Sequence, residues 1–162
     1  REHTNRLRRM VVQLGQILAL PENELDNLTL LASLHDIGKI AIPGNILDKP
    51  TRLTPEEWEV IKKHPEIGYR IALSSPDLSP IAESVLMHHE RWDGTGYPLG
   101  VKGSDIPLNA RILAITDAYD VMLHGRPYQK SMSHQETLEE IRRCSGTQFD
   151  PHLAQIFMTY QK

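Results

Sequence analysis

Seven side chains able to bind a metal ion or move a proton fall where the sequence pattern places apolar faces. His3 shares a helical face with Leu7, Met10 and Leu14; His35, followed by Asp36, continues Leu28, Leu31 and Ala32; His88 and His89 continue Ile81, Ala82, Val85 and Leu86. Asp117 lies between Leu113 and Ala114 on one side and Val121 on the other, and His64 stands at a junction between two helical segments. A carboxylate buried alone among such residues costs several kcal/mol or gives up its charge, so something positive should meet it. One histidine on an apolar face is more often a hydrogen-bonded core residue than a ligand, and one buried aspartate can cap a helix. Seven such placements on five or six separate elements are better explained together, by a shared metal centre.

The donor types narrow the metal. Imidazole and carboxylate without thiolate suit Fe or Mn first, with Ni and Zn compatible, and a carboxylate can bridge two ions where imidazole cannot. Seven donors exceed what one ion takes from protein while leaving room for substrate, so two divalent ions are expected, with a third left open. Such pairs sit ~3.5–4 Å apart in phosphoesterases, activate water at neutral pH and polarise a phosphoryl oxygen. Cys144 is the single cysteine, which excludes an internal disulfide and a thiolate zinc site. His124 stands near a helix C-terminus, where a charged imidazole suits the dipole. It and the surface positions His134 and His152 are left out of the site.

The elements that must position these groups are helical. Leu7, Met10, Leu14 and Ile17/Leu18 predict a helix from about Thr4 to Ala19, stopping before Pro21. A second carries Leu28 to His35 and ends at Gly38, and Pro43, Gly44 and Pro50 predict an ordered loop from Ile40 to Leu53. Thr54-Pro55-Glu56-Glu57 is a capping box with proline at the first helical position, opening a short helix to Lys63. A further helix runs from Ile81 to about Glu90 and gives way to a long glycine-rich loop that continues to Pro107. Leu108 to Leu123 is apolar nearly all round and predicts a buried helix. Ser133-His134-Gln135-Glu136 is a second capping box, opening a helix that Gly146 closes, and Asp150-Pro151 caps the last one. With no convincing strand and no repeat, the fold class is all-α, a compact multi-helix bundle.

Composition sets the outer bounds. The 162 residues are 40% hydrophobic and 24% charged, which fits one domain over 1–162. A net charge of −3 offers no broad basic face for a DNA or RNA polymer, so a phosphate-bearing ligand must be met by local charge or by metal. No apolar run approaches the ~20 residues of a membrane span and no secretory leader opens the chain, which predicts a cytoplasmic location. The chain enters a helical pattern at Arg1, which reads as a piece excised from a larger regulator with a sensor or receiver domain upstream.

His35-Asp36 resembles the adjacent pair of the HD superfamily of metal-dependent phosphohydrolases, and its surroundings make the resemblance specific. His35-Asp36-Ile37-Gly38-Lys39, Ile42-Pro43, Lys49-Pro50, Leu53-Thr54 with Glu57, His64-Pro65 and the run from His88-His89-Glu90 through Arg91-Trp92-Asp93-Gly94-Thr95-Gly96-Tyr97-Pro98 are similar, in order and spacing, to the HD-GYP subfamily. The similarity continues through Ile106-Pro107, Ala110-Arg111-Ile112, Asp117, Arg126-Pro127-Tyr128 and Phe149-Asp150-Pro151, and so spans nearly the whole chain. It implies an HD-type bundle with a long GYP loop, and metal ligands His35, Asp36, His64, His88, His89 and Asp117, with Asp36 bridging and His3 as the first-helix ligand. The glutamate of the family's third metal site would precede Arg1.

The resemblance further implies hydrolysis of cyclic di-GMP to pGpG, and in some members onward to GMP, by a metal-bridging hydroxide. Lys39 is the candidate donor to the phosphoryl oxygen or leaving group, Arg126 the phosphate clamp, and Gly96, Tyr97 and Pro98 the substrate-facing loop. One departure stands out: Gln129 occupies a position where the family commonly has lysine, and Lys130 follows it as the candidate replacement. Two rivals remain at this level. One is another HD-type nucleotide phosphohydrolase, against which the GYP loop discriminates. The other is a non-catalytic module that binds a cyclic dinucleotide or a GGDEF-type cyclase partner, against which the full ligand set speaks.

Overall fold

The computed structural model describes residues 1–127 and 129–161. Tyr128, the third residue of the Arg-Pro-Tyr triplet, lies outside the described residues. Among those described there are nine α-helices and no strand: α1 (Glu2–Ile17), α2 (Glu22–Leu34), α3 (Gly44–Leu47), α4 (Pro55–Ile61), α5 (His64–Leu73), α6 (Ala82–Met87), α7 (Leu108–His124), α8 (His134–Arg143) and α9 (Pro151–Tyr160). The expected boundaries hold to within a few residues at most ends. Two depart. The second helix stops at Leu34 instead of Gly38, because the chain tightens into a 3-10 turn over Ile37–Ala41, and the expected loop before Leu53 contains the single turn α3.

The capping chemistry forms as the sequence implies. The Thr54 hydroxyl accepts from the Glu57 amide at 3.1 Å while the Glu57 carboxylate accepts from the Thr54 amide at 2.8 Å. Ser133 and Glu136 repeat the arrangement, and Asp150 accepts from the amides of His152 and Leu153. Each such cap is worth about 1 kcal/mol, enough to fix where a short helix starts.

The core joins the helices that surround the site. Leu7, Val11 and Leu14 of α1, Leu28 and Leu31 of α2, and Ile112, Leu113 and Ile115 of α7 belong to one buried cluster with Ile81, Val85, Ile141, Leu153 and Phe157. Burying each of these side chains contributes about 2 kcal/mol, which offsets the cost of enclosing His64, His88 and Asp120 in the same interior.

Glycine governs the closest approach. A Cβ at Gly38 would lie 1.9 Å from the His64 carbonyl oxygen and 2.7 Å from the Gly68 amide nitrogen. The 3-10 turn and α5 therefore meet backbone to backbone, and that contact carries Asp36 to His64.

Candidate metal centre

Three histidines are oriented by one device. The Nδ1–H of His35 donates to the Ala32 carbonyl (3.1 Å), that of His64 to Ile61 (2.7 Å) and that of His88 to Val85 (2.6 Å), each bond reaching back three residues. A carbonyl can only accept, so each Nδ1 carries the proton and each Nε2 is left with its lone pair, as a metal-binding imidazole requires.

Those nitrogens converge on Asp36. Its Oδ1 lies 3.2 Å from His64 Nε2 and 3.4 Å from His88 Nε2, whereas its Oδ2 lies 3.3 Å from His35 Nε2 and 3.3 Å from Lys39 Nζ. His89 Nε2 completes the first set, 3.2 Å from His64 Nε2, and donor atoms of Asp36, His64, His88 and His89 all lie within 4.8 Å of one another. Lone pairs facing each other at that spacing around a carboxylate oxygen repel unless a cation lies among them. The donor set therefore fits a metal ion.

The electrostatics agree. Burial, reinforced by the neighbouring His88 and His64, pushes His89 down to about 2, and burial also lowers His88 against the opposing pull of Asp36. Both imidazoles stay neutral at ordinary pH.

The second set is more open. Asp117 Oδ1 is 3.0 Å from His3 Nε2, with side chains 29% and 39% exposed respectively. Hydrogen bonding to Asp117 raises His3 despite its partial burial. For His35, desolvation is the largest influence and acts downward, but bonding to Asp36 and the charges of Asp36 and Asp117 raise it overall. The sequence pattern pointed to Asp117 as the buried carboxylate of α7. That expectation is corrected here: Asp120, one turn further, is the enclosed one at 2% exposure, and the positive group that meets it is Arg6, through Nε at 2.8 Å and Nη2 at 3.1 Å. Asp120 also binds His3 Nδ1.

Two cavities open from the cluster, of 580 and 390 Å³, within the range of small-molecule sites. They share Trp58, His89, Tyr97, Asp117 and Arg126. Lys39 lines the smaller one and Gly96 the larger. Tyr97 stacks on His89 with centroids 4.9 Å apart and planes 15° apart, meets Trp58 edge-on at 6.4 Å, and has Lys62 Nζ 5.7 Å from its ring centre. Burial, with a smaller contribution from the charge of Asp36, pushes its hydroxyl up to about 12, so it remains a donor. Pro98 and Lys130 are exposed and line neither cavity; Lys130 follows a tight turn in which Arg126 and Gln129 exchange backbone hydrogen bonds at 3.0 and 2.9 Å.

Glu90 holds the GYP loop in place. Buried at 5% exposure, its carboxylate accepts from the amides of Leu99 (2.7 Å) and Gly100 (2.9 Å). The sequence motif contained Glu90 but gave it no role. Its position immediately after two expected ligands, ahead of a loop that needs acceptors, was the available signal. Trp58 and Lys62 were likewise missed, because the segment preceding His64 carries no mark that it faces the same cavity.

The chain belongs to the HD domain family, whose model it matches over residues 1–153. It is 41% identical over 162 residues to a cyclic di-GMP phosphodiesterase of Thermotoga maritima, an alignment covering 99% of this chain and 44% of that protein. It is 36% identical over 160 residues to the 3'3'-cGAMP-specific phosphodiesterase 2 of Vibrio cholerae, covering 98% and 31%. The crystal structure of a cyclic GMP-AMP-specific phosphodiesterase of V. cholerae superposes with a TM-score of 0.74 at 23% identity, covering 98% of this chain and 43% of that one, and shares the fold. The chain thus spans less than half the length of these relatives. No described helix is long and apolar enough to cross a membrane.

Proposed function

We propose that the chain is a metal-dependent phosphodiesterase that cleaves cyclic di-GMP to linear pGpG, with further cleavage to GMP open to the same site. The observation that carries this reading is the Asp36 carboxylate, whose two oxygens face two different donor sets. His64, His88 and His89 with Asp36 Oδ1 would hold one divalent transition metal; His35, Asp117 and His3 with Asp36 Oδ2 would hold a second, Fe or Mn before Ni or Zn. Bound there, the ions would lower the pKa of water and polarise a phosphoryl oxygen.

The chain's own groups supply the rest. Lys39, held at 3.3 Å by Asp36 beside the smaller cavity, can donate to a phosphoryl oxygen or to the departing ribose oxygen. Arg126, at the divide between the cavities, offers a two-pronged donor to the phosphate that is not cleaved. Tyr97 presents a ring face and a protonated hydroxyl to a guanine. The names of the relatives support a cyclic dinucleotide as substrate and leave the choice between cyclic di-GMP and cyclic GMP-AMP to measurement. A cytoplasmic location and a GGDEF-type cyclase or an upstream sensor or receiver domain as partner accord with this reading.

The test is hydrolysis of both cyclic dinucleotides by protein reconstituted anaerobically with Mn or Fe, with product resolved by chromatography and metal counted by elemental analysis. Two ions per chain with release of pGpG is the expected result. Protein that holds two ions, binds cyclic di-GMP and releases nothing would instead be a non-catalytic module, and protein that takes up no metal would sink the reading altogether.

A further inference from the structure

Helix α1 reaches the site through a chain of four side chains. Arg6 donates from Nε and Nη2 to both oxygens of Asp120, Asp120 binds His3 Nδ1, and His3 Nε2 stands 3.0 Å from Asp117 Oδ1. Asp120 is 2% exposed, whereas its partners Arg6 and His3 are 30% and 39% exposed at the side chain. His124 Nε2 also approaches Asp120 Oδ1, at 3.5 Å from the same helix. A buried aspartate needs one strong partner to be tolerated, and the two-pronged Arg6 contact already provides it. The additional bond to His3 is not required to compensate the charge.

That bond does set the imidazole. With Asp120 accepting at Nδ1–H, Nε2 is the ring nitrogen left to face Asp117 Oδ1. Two donors of a single ion, each ~2.1 Å from it and about at right angles, are about 3 Å apart. The observed 3.0 Å matches.

We infer that Asp120, clamped by Arg6, is a positioning residue for the second half of the centre, holding His3 so that it and Asp117 can share one metal ion. The inference rests on the metal-site reading above. Carboxylates that orient a ligating histidine typically change metal affinity ~10–100-fold when removed. The orienting group here lies 117 positions from the histidine it orients, so α1 and α7 contribute ligand and support to one another.

The experiment is titration of Mn(II) into metal-free protein, with free Mn(II) followed by electron paramagnetic resonance, for the wild type, Asp120→Asn, His3→Ala and Arg6→Lys. Asp120→Asn should bind one equivalent as the wild type does and the other ~10–100-fold more weakly, approaching His3→Ala. Arg6→Lys, which keeps the charge and loses the fork, should fall between the two. Melting of the metal-free proteins separates a structural role: a lower melting temperature with both equivalents bound at wild-type affinity overturns the inference, as does an unchanged titration for Asp120→Asn. Should Asp120→Asn not fold, Arg6→Lys decides, wild-type binding of both equivalents by that folded variant again overturning the inference. Failure of the wild type to bind two equivalents would instead remove the metal-site reading on which it rests.

Discussion

The two halves of the site are built on opposite principles. Around Asp36 Oδ1 the donors are two buried imidazoles and the half-buried His89, with His88 and His89 depressed by burial and by neighbouring imidazoles, and two of the three are fixed by carbonyls of their own chain segment. Around His3 and Asp117 the groups are part-exposed, carboxylate-rich and oriented by side chains more than a hundred residues away. A dry, locally fixed half is largely preorganised by the fold; a wetter half assembled from helices far apart in sequence depends on tertiary contacts staying in register. The first should resist perturbation until its core is breached, and the second should yield to single polar substitutions.

The largest expected effect comes from the group the halves share. Asp36→Ala should abolish hydrolysis and reduce uptake at both positions, measured by steady-state kinetics and elemental analysis; near-normal turnover would end the bridging assignment. Next is the backbone contact beneath the dry half. Gly38→Ala places a methyl 1.9 Å from a carbonyl oxygen that cannot move alone, and should cost about 3 kcal/mol or more in denaturant unfolding. Wild-type stability would mean that the 3-10 turn can withdraw from α5 at little cost.

The metal-free protein provides a pH comparison with opposite signs. His89 has a lowered pKa in the folded state, so between its ordinary value near 6.5 and about 2 the unfolded chain binds a proton that the folded chain does not, and stability falls as pH drops below 6.5. One proton accounts for at most ~1.4 kcal/mol per pH unit. His3 is raised, so its contribution is fully present below 6.5 and is lost as pH rises through its folded value. Unfolding of metal-free His89→Ala should therefore depend less steeply on pH between 5 and 6.5 than the wild type, and that of His3→Ala less steeply above it. Parallel curves would show that the halves do not differ in protonation.

Smaller effects belong to the rim. Tyr97→Ala should weaken cyclic dinucleotide binding more than it slows turnover, since the ring stacks on His89 and contributes a face and a hydroxyl without a ligand atom. Gln129→Lys adds a charge on an exposed turn and should tighten binding of cyclic di-GMP by no more than about 1 kcal/mol, less at high salt. Calorimetry at two ionic strengths checks it, and no change at low salt would remove this turn from the binding surface.

The asymmetry between the halves also decides what was legible. By itself the sequence determined the all-α class, both capping boxes and the segment order, because apolar periodicity, proline and cap chemistry act within a few residues; the gathering of His35, Asp36, His64, His88 and His89 was expected from their shared placement on apolar faces and from the family resemblance, not from local pattern. Helix ends were less legible: the turn from Leu34 to Ala41 tightens for a contact with α5 that lies some thirty residues ahead. Which carboxylate of α7 is enclosed was not legible at all. Asp117 and Asp120 are one turn apart on a helix that is apolar nearly all round, so the pattern does not fix the helix's rotation; packing against α1 does, and it selects Asp120 for burial because Arg6 is there to meet it. The division of the Asp36 oxygens between two donor sets, the Glu90 clamp on the GYP loop and the orientation of His3 were likewise decided only by the tertiary structure, since each depends on distances of a few ångströms between groups whose separation in sequence carries no information about their separation in space.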